Sequence, residues 1–259
     1  MTGAVVTIGA QPEPRILICG EDAIVVEFGD SIDPAINDRV YALAAAIEEA
    51  GNASVVELVP TYRSLLVQYD AELSTVDEMT GFLKDLAAGS RPGDPGNSGP
   101  RSVYELPVSY GGEDGQDLED VAQHAGLTAE EVIAIHSGTD YRVYMLGFAP
   151  GFPYLGGMDE RIATPRLATP RVRVPAGSVG IAESQTGVYP SASPGGWRLI
   201  GRTPVSLFDP GADPPVPFLP GSFIRFIPVT VEEAARVAEE VAAGTYRVTR
   251  RVHIEEQGA

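Results

Sequence analysis

Cysteine and lysine are nearly absent from this chain, and each shortage removes a class of chemistry. Cys19 is the single cysteine among 259 residues, so no internal disulfide can form, and the composition fits a reducing cytoplasm. The three histidines, His124, His136 and His253, are too few to build a Cys/His zinc cluster with it, and no metal site is expected. Lys84 is the only lysine. It lies in an ordinary helical pattern, and no Gly-x-x-x-x-Gly-Lys-Ser/Thr run is present, which argues against a lysine-dependent phosphate loop or a Schiff base. A Gly-x-Gly-x-x-Gly run after a strand and a Gly-x-Ser-x-Gly elbow are also missing. Positive charge is scarce: Lys+Arg 18 against Asp+Glu 36 gives a net charge of −18. Such a chain is a poor partner for nucleic acid or for an anionic membrane surface. No apolar run approaches the ~18 residues of a membrane span, and no basic leader opens the sequence, so a cytoplasmic protein is expected. Any anion it handles must be met by arginine.

What is present suits one large or two modest domains at about 150 residues per domain, with 44% apolar residues to build cores. Residues 16–18 and 23–28 are short apolar runs flanking a Gly20-Glu21-Asp22 turn, which reads as a hairpin. Asp33-Pro34 then opens a helix whose apolar face, Ile36, Val40, Leu43 and Ile47, ends near Gly51. Residues 55–59 and 64–69 form a second strand pair, and a second helix begins at Ser74 or Thr75. The order ββαββα predicts a small domain over residues 1–88, one sheet covered by two helices. Residues 89–100, dense in Gly, Pro and Ser, read as a linker. A strand at 103–108 and helices at 117–125 and 128–137 follow, the last with Thr128 and Glu131 spaced as a capping box.

Residues 141–228 differ in kind. They hold 14 of the 22 prolines, punctuating apolar runs at 142–148, 178–182, 205–208 and 222–227. This spacing predicts a barrel or sandwich over residues 101–229, with an amphipathic helix and tail over 230–259. The window also carries eight arginines against five acids, the one stretch that leans basic.

Its motifs are the candidates for chemistry. In Gly147-Phe148-Ala149-Pro150-Gly151-Phe152-Pro153-Tyr154-Leu155-Gly156 alternating Phe, Pro and Gly predicts a rigid, irregular loop. Phe148, Pro150, Gly151, Phe152 and Tyr154 either plug one end of the barrel or form an aromatic pocket or docking surface. Phe152-Pro153 and Tyr189-Pro190 leave a cis bond open at either step. Thr164-Pro165-Arg166 and Thr169-Pro170-Arg171 hold guanidinium forks suited to a carboxylate or phosphate, or paired with nearby acids. Arg171, nearer the Gly177-Ser178 turn, is the stronger candidate, and as an exposed arginine it should matter little to stability. Arg166, Arg171, Ser178, Gln185 and Tyr189 make up the expected substrate face. Trp197 is expected to pack in the barrel, and His136 to serve the end of its helix rather than catalysis.

In order, the Phe148 loop, Val174-Pro175-Ala176-Gly177-Ser178-Val179-Gly180, Gln185-Thr186-Gly187-Val188-Tyr189-Pro190, Pro194-Gly195-Gly196-Trp197 and Ile200-Gly201-Arg202-Thr203 resemble the family of KipI and of the B component of 5-oxoprolinase. This family is also called allophanate hydrolase subunit 1, and it supplies subdomains C and D of the urea carboxylase carboxyltransferase domain. Pro60-x-Tyr62-x-Ser64-Leu65 resembles its N-terminal signature. The resemblance implies an α+β chain, a small ferredoxin-like domain followed by a cyclophilin-like β-barrel. It also implies partners within 5-oxoprolinase: the C component, a KipA-like protein (allophanate hydrolase subunit 2), and the A component. Together these convert 5-oxoproline to glutamate at the expense of ATP, bound with magnesium within the complex. Coupling to ATP would make a leaving group of the resonance-stabilised lactam oxygen before water attacks. The resemblance assigns no catalytic residue. Other readings are a carboxyltransferase component acting on urea or a related amide, a KipI-like histidine kinase inhibitor and, least of all, a prolyl isomerase, since fold does not fix chemistry. Glu183 stands where relatives often carry Gly-Pro, placing a carboxylate near the expected pocket.

Overall fold

The computed structural model describes residues 13–89 and 101–253, and the chain divides into two compact units, residues 1–99 and 100–259. The expected linker, apart from Gly89, lies outside the described residues.

In the first unit the Gly20 turn joins β1 (Arg15–Cys19) to β2 (Ala23–Glu27). Helix α1 (Pro34–Ala50) starts where the Asp33 carboxylate accepts the backbone N–H groups of Ala35 (2.7 Å) and Ile36 (3.1 Å), and it stops at Gly51 in the left-handed conformation. Strands β3 (Val55–Pro60) and β4 (Ser64–Tyr69) and helix α2 (Val76–Gly89) complete the order read from the sequence. The antiparallel sheet runs β1-β2-β4-β3. Strand β4 lies between β2 and β3, which α1 connects, and this is the split β–α–β of ferredoxin-like domains with the chain entering one strand earlier. Ile24, Val26, Leu65 and Val67 face Val40, Leu43, Met79 and Leu83 in one core.

The second unit opens with β5 (Ser102–Tyr110), then helices α3 (Leu118–Ala125) and α4 (Ala129–Ser137). The capping box at α4 forms as expected, with Glu131 and Thr128 satisfying each other's backbone N–H. Next come β6 (Tyr141–Leu146), β7 (Pro153–Gly156), β8 (Arg171–Val174), β9 (Ser178–Ala182) and β10 (Gln185–Val188). The chain continues through β11 (Ser193–Gly195), β12 (Arg198–Arg202), β13 (Phe223–Pro228), α5 (Val231–Ala242) and β14 (Thr249–Val252). The main sheet runs β10-β9-β12-β5-β13-β6-β7, and its end strands β10 and β7 lie against each other, nearly closing a barrel. Among the described residues only β5 and β13 pair in parallel within it. Leu106, Val108, Tyr141, Val179, Ile181, Ile200 and Phe226 fill the interior.

Two expectations from the sequence do not hold, and one point left open is decided. Residues 153–156 form β7 rather than continuing the irregular loop, because β6 offers them an antiparallel partner, with an irregularity between Val143 and Met145. Residues 205–208 are not a strand; Pro204 and Pro210 bracket them, and proline cannot donate to a ladder. The Phe152-Pro153 and Tyr189-Pro190 bonds are trans, and among the described residues the cis bond falls at Asp213-Pro214. The residues after 243, which carry no motif, supply β14 along β5. Asp140 anchors that segment, accepting from Arg251 (2.7 Å), Arg225 (2.6 Å) and His253 (3.1 Å).

Candidate functional site

The site begins with the turn between β6 and β7. Residues 147–152 fold back on themselves: the Gly147 N–H donates to the Phe152 carbonyl and the Phe152 N–H to the Ala149 carbonyl (3.2 and 2.9 Å). Gly151 has φ +80, and a side chain there would strike the Leu207 carbonyl, so glycine is required. Phe148 also has a positive φ, 61, and its ring is 78% exposed. A bulky residue held in this region is strained.

Phe152 organises the aromatic side chains around it. Its ring meets Tyr154 at 5.1 Å, Phe148 at 5.7 Å, Trp197 at 6.1 Å and Tyr189 at 6.3 Å, all edge to face. This is the arrangement that ring quadrupoles favour. Two glycines make room: a side chain at Gly195 would fall on the Tyr189 hydroxyl, and one at Gly187 would press on Trp197 and Phe152.

Between these rings lies a cleft of about 300 Å³ whose polar lining is Arg166, Gln185 and Tyr189, with Pro194, Gly195 and Gly196 of β11 and its turn along one wall. Arg166 is exposed, and its guanidinium makes no ion pair or hydrogen bond with any described residue. Burial pushes the Tyr189 phenol up, while a hydrogen bond with the Trp197 backbone and the charges of Arg166 and Arg171 pull it back. The cleft therefore offers one unpaired cation, an amide and a phenol inside an aromatic wall. Such a site suits a small, flat, singly anionic molecule.

The structure thus brings together Arg166, Gln185, Tyr189, Phe148, Phe152 and Tyr154. Arg171, Ser178, Pro150 and Gly151 fall outside the cleft. Arg171 donates to Asp117 at 2.7 Å and to the Trp197 carbonyl at 3.3 Å. Asp117 is 5% exposed and stands at the start of α3, yet its carboxylate caps nothing on that helix. Its other oxygen takes the Leu199 N–H at 2.7 Å. Arg171 is consumed by this network, so the expectation of an exposed arginine is corrected: it is half-buried and paired. Ser178 is buried, and its carbonyl accepts the Tyr189 N–H at 2.9 Å, supporting the site from behind. Pro150 and Gly151 shape the loop. Glu183 sits at the turn between β9 and β10 with φ 52, its backbone paired with Thr164, and does not line the cleft.

Trp197, expected to pack in the barrel, instead packs half-buried against Val174, Tyr189 and Leu199, a small cluster apart from the barrel interior, and lines the cleft. Asp117 carried no sequence signal beyond opening a helix. His136 does not cap its helix with its side chain: its ring is fully buried, 2.7 Å from the Tyr110 hydroxyl and 2.8 Å from that of Thr186.

Residues 14–218, which include every residue of this cleft, match the family model for the carboxyltransferase domain, subdomain C and D. The chain belongs to that family. It is 43% identical over 239 residues to the B component of 5-oxoprolinase from Bacillus subtilis (strain 168), covering 85% of this chain and 95% of that one. A conserved uncharacterized protein from Pyrococcus horikoshii, of known crystal structure, is 52% identical and superposes with a TM-score of 0.50 over 85% of this chain and 99% of its own. The K. lactis urea amidolyase shares the fold, with a TM-score of 0.74 at 20% identity over 93% of this chain and 16% of that one. Family membership accounts for the α+β architecture and its barrel. No helix among the described residues is long and apolar enough to cross a membrane.

Proposed function

We propose that this chain is the B component of an ATP-dependent 5-oxoprolinase and that the cleft holds 5-oxoproline. Partner proteins, a KipA-like C component and an A component, complete the reaction: 5-oxoproline, ATP and water give glutamate, ADP and phosphate. The observation that carries this reading is the unpaired Arg166 guanidinium on the wall of an aromatic cleft. 5-Oxoproline is a flat lactam with one carboxylate. The carboxylate suits the arginine fork, the ring methylenes suit the faces of Phe152 and Trp197, and the Gln185 side chain adds a polar amide to the wall beside the lactam. The identity with 5-oxoprolinase B components over most of the chain supports the same choice.

ATP and magnesium do not fit this cleft. It lies at the small end of ligand pockets and offers a single unpaired guanidinium for three phosphates. Among the described residues no three His, Cys, Asp or Glu side chains gather to hold a metal ion. This cleft is therefore assigned to binding and orienting the lactam, and the nucleotide to another site of the assembled complex.

The test is ATP-dependent glutamate release by the chain assembled with its partners. A bidentate contact between charged groups is worth roughly 1.5–3 kcal/mol, at least about a decade in rate. Arg166→Ala should thus cut kcat/KM for 5-oxoproline at least about tenfold, with melting unchanged because the side chain is exposed and unpaired. Arg166→Lys should recover part of the loss, keeping the charge without the fork. Full activity in Arg166→Ala would remove the cleft from substrate binding, and an assembled complex that releases no glutamate would remove the substrate.

A further inference from the structure

We infer that His136 is a positioning residue for the cleft, acting from inside the barrel through the Thr186 hydroxyl on the strand that carries Gln185. The inference rests on the substrate reading above and adds a residue that does not touch the cleft.

The ring of His136 hangs from the last turn of α4 into the barrel, stacked on Phe226 at 4.7 Å and flanked by Tyr110 and Tyr141. The direction of its hydrogen bonds follows from Thr186. The single proton of the Thr186 hydroxyl goes to the Gly180 carbonyl at 3.0 Å, so at 2.8 Å from His136 that oxygen is the acceptor and Nε2 carries the proton. Nδ1 is left as an acceptor for the Tyr110 hydroxyl at 2.7 Å. The Tyr141 hydroxyl fixes the backbone of the same residue by donating to the His136 carbonyl at 2.8 Å. The relay therefore runs one way, from Tyr110 through His136 and Thr186 to Gly180, and both ring nitrogens are satisfied by a neutral imidazole. Every polar group facing the ring is uncharged, which keeps it neutral.

Thr186 is the second residue of β10, a strand of four residues at one end of the sheet. Side chains alternate across a strand. Thr186 points into the barrel, so its neighbours Gln185 and Gly187 face the other way, where Gln185 lines the cleft and Gly187 leaves the space that Trp197 and Phe152 fill. The imidazole thus ties β10 down from within, and the position of the cleft's amide and of its ring packing follows from that tie.

The test uses Thr186→Val, which keeps the shape and removes the hydroxyl, beside Thr186→Ser, which keeps the hydroxyl. In the assembled enzyme the valine variant should raise KM for 5-oxoproline about tenfold with kcat within about twofold, and the serine variant should stay within about threefold of the parent. In the full chain without ligand, acrylamide quenching of Trp197, the sole tryptophan, should rise with valine and not with serine. Should Thr186→Val fail to fold, Thr186→Cys fills the same space with a weak acceptor and carries the same expectation. A folded hydroxyl-free variant with unchanged KM and unchanged quenching would overturn the inference, as would equal losses in the valine and serine variants. A parent enzyme that does not turn over 5-oxoproline defeats the substrate reading instead, and ligand-free quenching, measured also in His136→Phe, which leaves the Thr186–Gly180 bond in place, still decides whether His136 positions the cleft.

Discussion

Asp117→Ala isolates the network behind the cleft. The Asp117 side chain is 7% exposed and that of Arg171 24%. Removing the carboxylate strips the Leu199 N–H, in a residue 3% exposed, of its acceptor, a cost of about 1–3 kcal/mol. It also leaves a largely buried guanidinium without a counter-charge. Breaking a buried pair costs about 3–5 kcal/mol; here Arg171 is a quarter open to solvent and keeps its bond to the Trp197 carbonyl, so the total should fall near the low end, about 3 kcal/mol. For a unit of this size that corresponds to roughly 6–12 °C in melting temperature. Unfolding should be followed by Trp197 fluorescence, because the single tryptophan reports the second unit alone. Arg171→Ala should cost about 2–3 kcal/mol, and the double variant should cost less than the two singles together by at least about 1 kcal/mol. Additive losses would show that the two side chains do not act as a pair. An Arg171→Ala variant with unchanged melting and lost turnover would return that arginine to the substrate.

Two further outcomes follow from named groups. Burial lowers the His136 imidazole from 6.5 to about 3, so the unfolded chain binds the extra proton first as pH falls. Its contribution is intact above pH 6.5 and is lost below it, by about 2 kcal/mol between pH 7 and pH 5. His136→Gln should lack that slope in urea unfolding, and identical acid slopes would refute the assignment. Gly195→Ala places a methyl group where the Tyr189 hydroxyl lies, so it should raise KM for 5-oxoproline at least about tenfold while circular dichroism is preserved; an unchanged KM would show that Tyr189 does not shape the site.

Local signals carried the first unit: alternation, a capping Asp33 and a left-handed Gly51 are all written within a few residues of where they act. The same holds for the capping box of α4. The site was most legible where sequence neighbours are also spatial neighbours, as in the Phe148–Tyr154 run and in Gln185 with Tyr189; Arg166 was named from its Thr-Pro-Arg motif alone. The rest depends on distant partners. Arg171 meets Asp117 across 54 positions and His136 meets Thr186 across 50, and no periodicity encodes either. Strands β8 and β11 make a two-stranded ribbon with only each other as ladder partners, in segments whose apolar pattern predicted no strand, and β14 exists only because β5 offers it an edge.

Charge shows the same effect with a chemical consequence. Residues 141–228 hold eight arginines against five acids, which predicts a basic surface that draws anions generally. In the fold, acids from before residue 141 reach into that window: Asp117 takes Arg171, Asp120 takes Arg198, and Asp140 takes Arg225. Asp159 takes Arg161 locally. Among the described residues Arg166, Arg173 and Arg202 of this window make no ion pair, and Arg202 is held by the Ala176 carbonyl at 3.0 Å. Of these three only Arg166 lines the aromatic cleft. At the aromatic cleft the apparent basic field therefore reduces to a single fork, in a chain of net charge −18. Long-range attraction for polyanions is lost by this pairing, while short-range recognition of one carboxylate is kept. A site built this way selects its ligand by contact and shape, which is the selection that a small, singly charged lactam requires.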